Sequence, residues 1–451
     1  MKNTESNSRP RWSLTNITNS IEGDKVIWII VLLLTMISIL TIFSSTTLLA
    51  KDETRVDIIK THSIIAGFGL MMTFCLYKIR SIGVFRVFSQ LGFLITFLLL
   101  LILDLHLDIP GIVKAQNING AYRTLYMMGF QLHVFEVAKV LMVLYLAWAI
   151  HAFKADKAAL ESGKKSPTFK LANRLGKIRR LEFMTKPFWK RMFYIYAPSI
   201  LVCVLIMPGS NSSAIFIGGI LVVTMLIGGV PWKELGLAAT GCAAALGLIV
   251  GICIMTDGKV FGRAETLIGR FSIRYDMDNL DKYKEGSAEF YREVDKIKQP
   301  IAAKIAIKEG GFIGKLTGNS TQKYVVSNIY GDYMFAFIIE EYGFIGGLLI
   351  VILYVSLLAR SSIIARYCEN EYAKVAVGGL SFMIVGQAFM HMMVNVGIGP
   401  MTGQTLPLVS HGATAFLCTC LAFGVLLSIS RMARQKIQER GDDMKNETEA
   451  Q

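Results

Sequence analysis

Charge is scarce in this sequence. Only 18% of its 451 residues are Asp, Glu, Lys or Arg, against about a quarter in ordinary soluble domains, and that scarcity argues against a water-solvated protein of several domains. Cysteine is too thinly spread for a disulfide framework or a zinc site. The seven (Cys75, Cys203, Cys242, Cys253, Cys368, Cys418 and Cys420) fall mostly within apolar runs, with no CxxC pair and no histidine at ligand spacing, so they read as small packing residues. Hydrolase and nucleotide signatures are missing too. There is no HExxH or GxSxG run and no SxxK in a credible context. The stretch GGFIGK, with Gly310, Gly311, Gly314 and Lys315, lacks the four-residue gap that precedes Gly-Lys in a phosphate loop.

What is present is apolar surface. Hydrophobic residues make up 53% of the chain and the mean hydropathy is +0.49, so the bilayer is its solvent. The formal net charge of +14 would suggest nucleic acid in a soluble protein. Here the basic residues lie between apolar runs, where they orient helices, and no nucleic-acid partner is expected. A spanning helix needs about 20 mainly apolar residues. Such runs occur at 26–47, 61–78, 84–106, 134–152, 193–207, 213–230, 234–255, 333–358, 375–397 and 413–430. The first is too long for a signal peptide's apolar region and reads as a retained helix.

Orientation follows from lysine and arginine, which accumulate in cytoplasmic loops. Between Lys154 and Arg191 there are twelve of them against three acids. The same side collects Lys78, Arg80 and Arg86, then Arg360 and Arg366, then the basic stretch from Arg431 to Arg440. The expected fold class is therefore an all-α polytopic membrane protein of about ten helices with both ends cytoplasmic. It comprises a polar tail over 1–25, a membrane domain over 26–430 and a second polar tail over 431–451. A large extracytoplasmic loop, 256–331, separates helices seven and eight; its stretch EFYREVDKIKQPIAAKIAIKEGG looks helical and amphipathic.

Ionisable groups near membrane depth are costly and usually face a cavity or a partner. Glu136 and Lys139 stand three apart, close enough to pair on one helical face, with Arg123 upstream; a structural ion pair and a functional role are both open. Asp332 stands at the outer mouth of the eighth helix, with Glu340 and Glu341 two turns deeper. At that boundary a carboxylate can be desolvated enough to act as a base, or it can cap the helix. In IGPMTGQTLPLVSHGATA, Pro400, Gly403, Pro407 and Gly412 forbid a continuous helix. The segment reads either as a re-entrant loop rimming a site or as a tight turn.

Four stretches in order resemble one family: GAYR followed by FEVAK; GNSTQK and GDYMFAFIIEEYGFIG; the glutamine of VGQAFMH; and PMTGQTLPLVSHGATAF. They are similar to the SEDS proteins of the FtsW/RodA/SpoVE type, over about residues 25–435, and GDKVIWIIVLLL looks more like the division-associated FtsW branch. The chain departs from the family pattern at Val134 and Phe135, in VSNIYG, at His391 and at Ala413. The resemblance implies a peptidoglycan glycosyltransferase that polymerises lipid II at the outer face of the cytoplasmic (inner) membrane, at the division septum if FtsW-like.

It implies Asp332 as the catalytic base. It also implies substrate contacts from Arg123, Glu136, Lys139, Arg270, Gln322, Lys323, Gln387, Thr402, Gly403, Pro407 and Ser410. A pyrophosphate leaving group needs cationic neutralisation, from Arg123, Lys139 and Arg270 or from a divalent ion such as Mg²⁺ or Mn²⁺; no motif fixes a metal site. The implied partners are a class B penicillin-binding protein and other divisome proteins. A lipid II flippase and a non-catalytic divisome scaffold are the alternatives.

Overall fold

The computed structural model describes residues 22–46, 54–109, 113–118, 121–127, 129–162, 169, 185–236, 287–326, 328–398 and 402–449. Among them, eight helical stretches are long and apolar enough to cross a membrane. In chain order the helices are α1 (Lys25–Ser45), α2 (Arg55–Lys78), α3 (Ile82–Gln90) and α4 (Gly92–Asp104), which form one crossing, and α5 (Val134–Glu161). Next come α6 (Pro187–Arg191), which runs through a π turn at Met192–Tyr196 into α7 (Ala197–Ile206), and α8 (Asn211–Ile227). The last four are α9 (Ala288–Gly310), α10 (Met334–Tyr367), α11 (Glu371–Asn395) and α12 (Ala413–Glu449). At 1.5 Å per residue, the 21 residues of α1 span about 31 Å, the thickness of a hydrocarbon core. The 17-residue α8 is shorter than a typical span. The expected seventh run, 234–255, lies almost wholly outside the described residues.

Polar side chains start several helices by accepting free first-turn N–H groups. Asp24 accepts from Val26 and Ile27 at α1, Ser210 from Ser213 at α8, and Asn370 from Tyr372 at α11. Asp24 also pairs with Arg360 at 2.6 Å, and Glu22 pairs with Arg431 at 2.5 Å. The start of α1, the late part of α10 and residue 431 of α12 therefore share one membrane face, and residues 22–24 are docked where a polar tail was expected. Asp332, at the other end of α10, lies on the opposite face. Fully buried Tyr354, Phe337, Phe416 and Phe423 lie on α10 and α12, which pack with α2 and α11, and buried Tyr372 of α11 hydrogen-bonds Ser89 of α3 at 2.8 Å. Leu32, Met36 and Leu40 of α1 and Leu348, Ile352 and Val355 of α10 are exposed and face lipid.

Three features were not expected. Between α4 and α5 the chain forms a four-stranded antiparallel sheet: β1 (Asp108–Ile109), β2 (Val113–Ile118), β3 (Ala121–Met127) and β4 (Phe130–His133), in sequential order. The helix α12 continues to Glu449. Extending an existing helix needs no new nucleus, and RMARQKIQER is rich in helix formers. Finally, α10 is broken. Gly343 has φ +69° and ψ −169°, a region essentially reserved for glycine. The run GGFIGK, which follows α9, fills the break: Lys315 and Leu316 donate to the carbonyls of Glu340 and Glu341, while Phe344 and Ile345 donate to those of Gly311 and Phe312. A membrane helix can open only where its freed backbone groups find new partners, and this insertion supplies them.

Candidate active site

Asp332 sits two residues before α10, where the first turn presents free N–H groups. A capping role would occupy its carboxylate, yet the cap position is Tyr333, with no side-chain cap bond. The donors go instead to α11: Phe335 N–H donates to His391 Nε2 at 3.2 Å, and Ala336 N–H to Asn395 Oδ1 at 2.9 Å. Asn395 Nδ2 also donates to the Asp332 carbonyl at 3.0 Å. The helix start is thus satisfied by its neighbour, which leaves the Asp332 carboxylate for another task. Asn328 Nδ2 donates to Asp332 Oδ2 at 2.9 Å. Burial pushes the Asp332 carboxyl above its ordinary value, opposed by the Asn328 bond and the Arg123 charge.

The segment Thr402–Gly412 folds over this carboxylate. Gly403 has φ +60°, and a Cβ there would lie 3.8 Å from Asp332 Oδ2, so backbone approaches the acid closely. His391 bridges the two parts: its Nδ1 donates to the Gln404 carbonyl at 2.7 Å while its Nε2 accepts from α10, a pattern that requires the neutral ring. Ser410 Oγ donates to the Gly331 carbonyl at 2.7 Å and accepts from Leu406 N–H at 2.9 Å. The Pro407 carbonyl accepts from Tyr354 at 2.6 Å. Pro407 and Ser410 therefore hold the segment's shape. Two of its buried polar atoms, Thr402 Oγ1 and Gln404 Oε1, have no protein partner. Such atoms are uncommon and call for a ligand or water.

Lys139 works one step behind. Its ammonium donates to Glu136 at 2.8 Å and to Gln387 Oε1 at 2.7 Å, and Gln387 Nε2 donates to the Thr405 carbonyl at 2.9 Å. The chain from Glu136 through Lys139 and Gln387 to Thr405 ties α5 and α11 to the outer segment. Arg123 arrives on the sheet. Gln116 pairs with Thr124 and Asn117 with Tyr122, so Arg123 is the extra residue of a β-bulge, a device that re-aims a side chain. Its Nε donates to the Gly209 carbonyl at 3.0 Å.

Gln322 and Lys323 belong to a different cluster. Glu340 accepts from Lys315 Nζ at 2.9 Å, Ser320 Oγ at 2.5 Å and the N–H groups of Thr321 and Gln322. Glu341 accepts from Ser44 Oγ at 2.5 Å and Gly318 N–H at 2.9 Å. Lys323 is buried and donates to the Gly318 carbonyl at 2.6 Å. The loop is thus clasped onto two carboxylates beside the helix break. Arg270 lies outside the described residues. No group of three His, Cys, Asp or Glu that could hold a metal ion occurs among the described residues.

The model of the family described as "Cell cycle protein", of the FtsW/RodA/SpoVE type, matches residues 24–435. The chain belongs to this family. Within the FtsW/RodA/SpoVE family, this member is 28% identical over 339 residues to the "Probable peptidoglycan glycosyltransferase FtsW" of Thioalkalivibrio sulfidiphilus, covering 74% of this chain and 70% of that protein. It is 25% identical over 420 residues to "Stage V sporulation protein E" of Bacillus subtilis, covering 92% and 99%. Its fold matches a chain of a solved peptidoglycan synthase complex at TM-score 0.61 and 20% identity, covering 91% and 98%. It also matches the rod shape determining protein RodA of Thermus thermophilus at TM-score 0.51 and 18% identity, covering 92% and 98%. This family member is a multi-pass membrane protein.

The structure brings Asp332, Thr402, Gly403, Gln387 and Lys139 into one connected arrangement, with the Arg123 charge acting on Asp332. Sequence reasoning missed Asn328, His391 and Asn395 as its supports. His391 stood out only as a departure from the family pattern, and Asn328 lay in the unfamiliar stretch VSNIYG.

Proposed function

We propose that this chain is a peptidoglycan glycosyltransferase that polymerises lipid II at the outer face of the cytoplasmic membrane. The observation that carries the reading is Asp332 itself: a partly exposed carboxylate relieved of capping and faced by Gly403, whose sequence neighbour Thr402 has a partnerless hydroxyl. The basic loops orient the termini inward, which turns Asp332 outward.

Asp332 takes the proton from the 4-hydroxyl of one GlcNAc as that oxygen attacks the anomeric carbon of the other chain's MurNAc. The new C–O bond forms as the bond to the lipid pyrophosphate breaks, with inversion, and the pyrophosphate leaves as the anion. Its raised pKa suits a base, since a more basic carboxylate accepts a proton more readily. Arg123, aimed by its bulge, supplies positive charge near the leaving group. Lys139 acts through Gln387 by positioning Thr405. A divalent ion such as Mg²⁺ or Mn²⁺ would add to the same neutralisation of the pyrophosphate.

The FtsW names of relatives support septal wall synthesis during division. The similarity to a synthase complex supports a class B penicillin-binding protein as partner. Reconstitution in liposomes with labelled lipid II tests the reading: glycan polymer is expected from wild type and none from Asp332→Ala. Lipid II translocation without polymer would instead make the chain a flippase.

A further inference from the structure

A cavity of about 460 Å³ opens between α5, α6 and the turn after α8, lined by Lys154, Lys157, Lys190, Arg191 and Asp156 over an apolar wall that includes Ile150, Phe153 and Ile195. It lies far from Asp332. Lys154 is fifteen residues along α5 from Lys139, roughly 22 Å at the helical rise, which puts the cavity at the opposite membrane face.

Its charges are unequally held. Lys190 and Asp156 form a 2.7 Å pair with both side chains 3% exposed, and Arg191 is tied to Glu234. Lys154 pairs with Glu371 at 2.7 Å but stays 40% exposed. Lys157 is 3.8 Å from Glu161, both about 70% exposed, a loose contact of little worth. One acceptor is left over: Asp156 Oδ1 is buried without a partner. A buried carboxylate oxygen in that state is costly and calls for a donor. The site therefore offers two adaptable ammonium groups at the rim, an unmatched acceptor within and an apolar wall beyond. In sequence, the stretch 154–191 to which these cations belong carries twelve Lys or Arg against three acids.

We propose that this cavity seats an anionic glycerophospholipid with a hydroxyl-bearing headgroup, of the phosphatidylglycerol type, from the leaflet opposite Asp332. The phosphate sits between Lys154 and Lys157, a headgroup hydroxyl donates to Asp156 Oδ1, and an acyl chain follows Ile150 and Phe153. Basic pockets between membrane helices on the cytoplasmic side are suited to such headgroups.

The test is native mass spectrometry of the full chain in detergent with equimolar phosphatidylglycerol and phosphatidylcholine of matched acyl chains. Taking about fivefold per lysine near a lipid surface, phosphatidylglycerol is retained roughly tenfold or more over phosphatidylcholine, and Lys154→Gln/Lys157→Gln brings the two to near parity. Phosphatidylmethanol, which keeps the charge and lacks the hydroxyl, is retained less well than phosphatidylglycerol. Inorganic phosphate does not displace the lipid. Parity in wild type, an unchanged preference in the double variant, equal retention of phosphatidylmethanol, or displacement by inorganic phosphate would each overturn the proposal. Thermal melting of the double variant, whose altered side chains are partly exposed, checks that it is folded.

Discussion

Replacing Lys139 by methionine separates support of the fold from support of the site. The substitution keeps most of the side-chain stem, which is 3% exposed, and removes an ammonium that holds Glu136 at 2.8 Å and Gln387 at 2.7 Å. Breaking a buried pair by removing one partner costs about 3–5 kcal/mol. Glu136 keeps 17% of its side chain exposed, so water recovers part of that and about 2–4 kcal/mol is expected. Removing the pair as a unit, in Glu136→Gln/Lys139→Met, leaves no stranded charge and restores most of the stability. It does not restore the lysine that orients Gln387 on the Thr405 carbonyl. Misplacement of about 1 Å can cost on the order of 10²-fold in rate, so the double variant melts near wild type but polymerises lipid II roughly 10-fold to 10²-fold more slowly. The paired assays are thermal melting in detergent and glycan-strand formation. If the double variant regains both stability and activity, the Lys139 relay to Thr405 plays no part in catalysis.

Other expectations follow from the same contacts. Asn328→Ala and Arg123→Gln each remove an interaction that lowers the Asp332 pKa. Both variants therefore raise it further, and the acid limb of the pH–rate profile moves to higher pH; an unmoved limb would show that Asp332 is not the group titrating. Gly343→Ala forces a Cβ to 2.3 Å from the Phe312 carbonyl oxygen at φ +69°. With about 1–3 kcal/mol of backbone strain alone, it lowers the melting temperature, whereas Gly67→Ala, with nothing within 4 Å, does not. Glu340→Ala strips Lys315, Ser320 and Thr321 of a shared acceptor, and limited proteolysis is expected to cut the 311–323 loop faster than in wild type.

Much of this architecture was legible because spanning helices announce themselves by apolar length, and loop lysines by composition. The runs at 26–47 and 375–397 recur as Lys25–Ser45 and Glu371–Asn395. The sheet had a local signal that length and hydropathy do not weigh. In sequence, Asn119-Gly120, a favoured hairpin pair, separates Ile118 from Ala121, and these two residues pair in the sheet. The break at Gly343 was not legible in the run EEYGFIGG, because the partners that stabilise it are backbone groups of residues 311–316. Asp332 illustrates the same limit. From position alone it could be a cap or a base, and the choice is made by His391 and Asn395, 59 and 63 residues further on.

The central claim, that Asp332 is the base of an outer-face polymerase, is tested most directly by purifying the chain with the proposed class B penicillin-binding partner and supplying lipid II. Asp332→Asn keeps the side chain's size and removes its basicity. The expected result is wild-type complex formation and melting with polymerisation slowed by about 10²–10⁴-fold, the usual worth of a general base. Glycan strands formed at the wild-type rate by that variant would contradict the account.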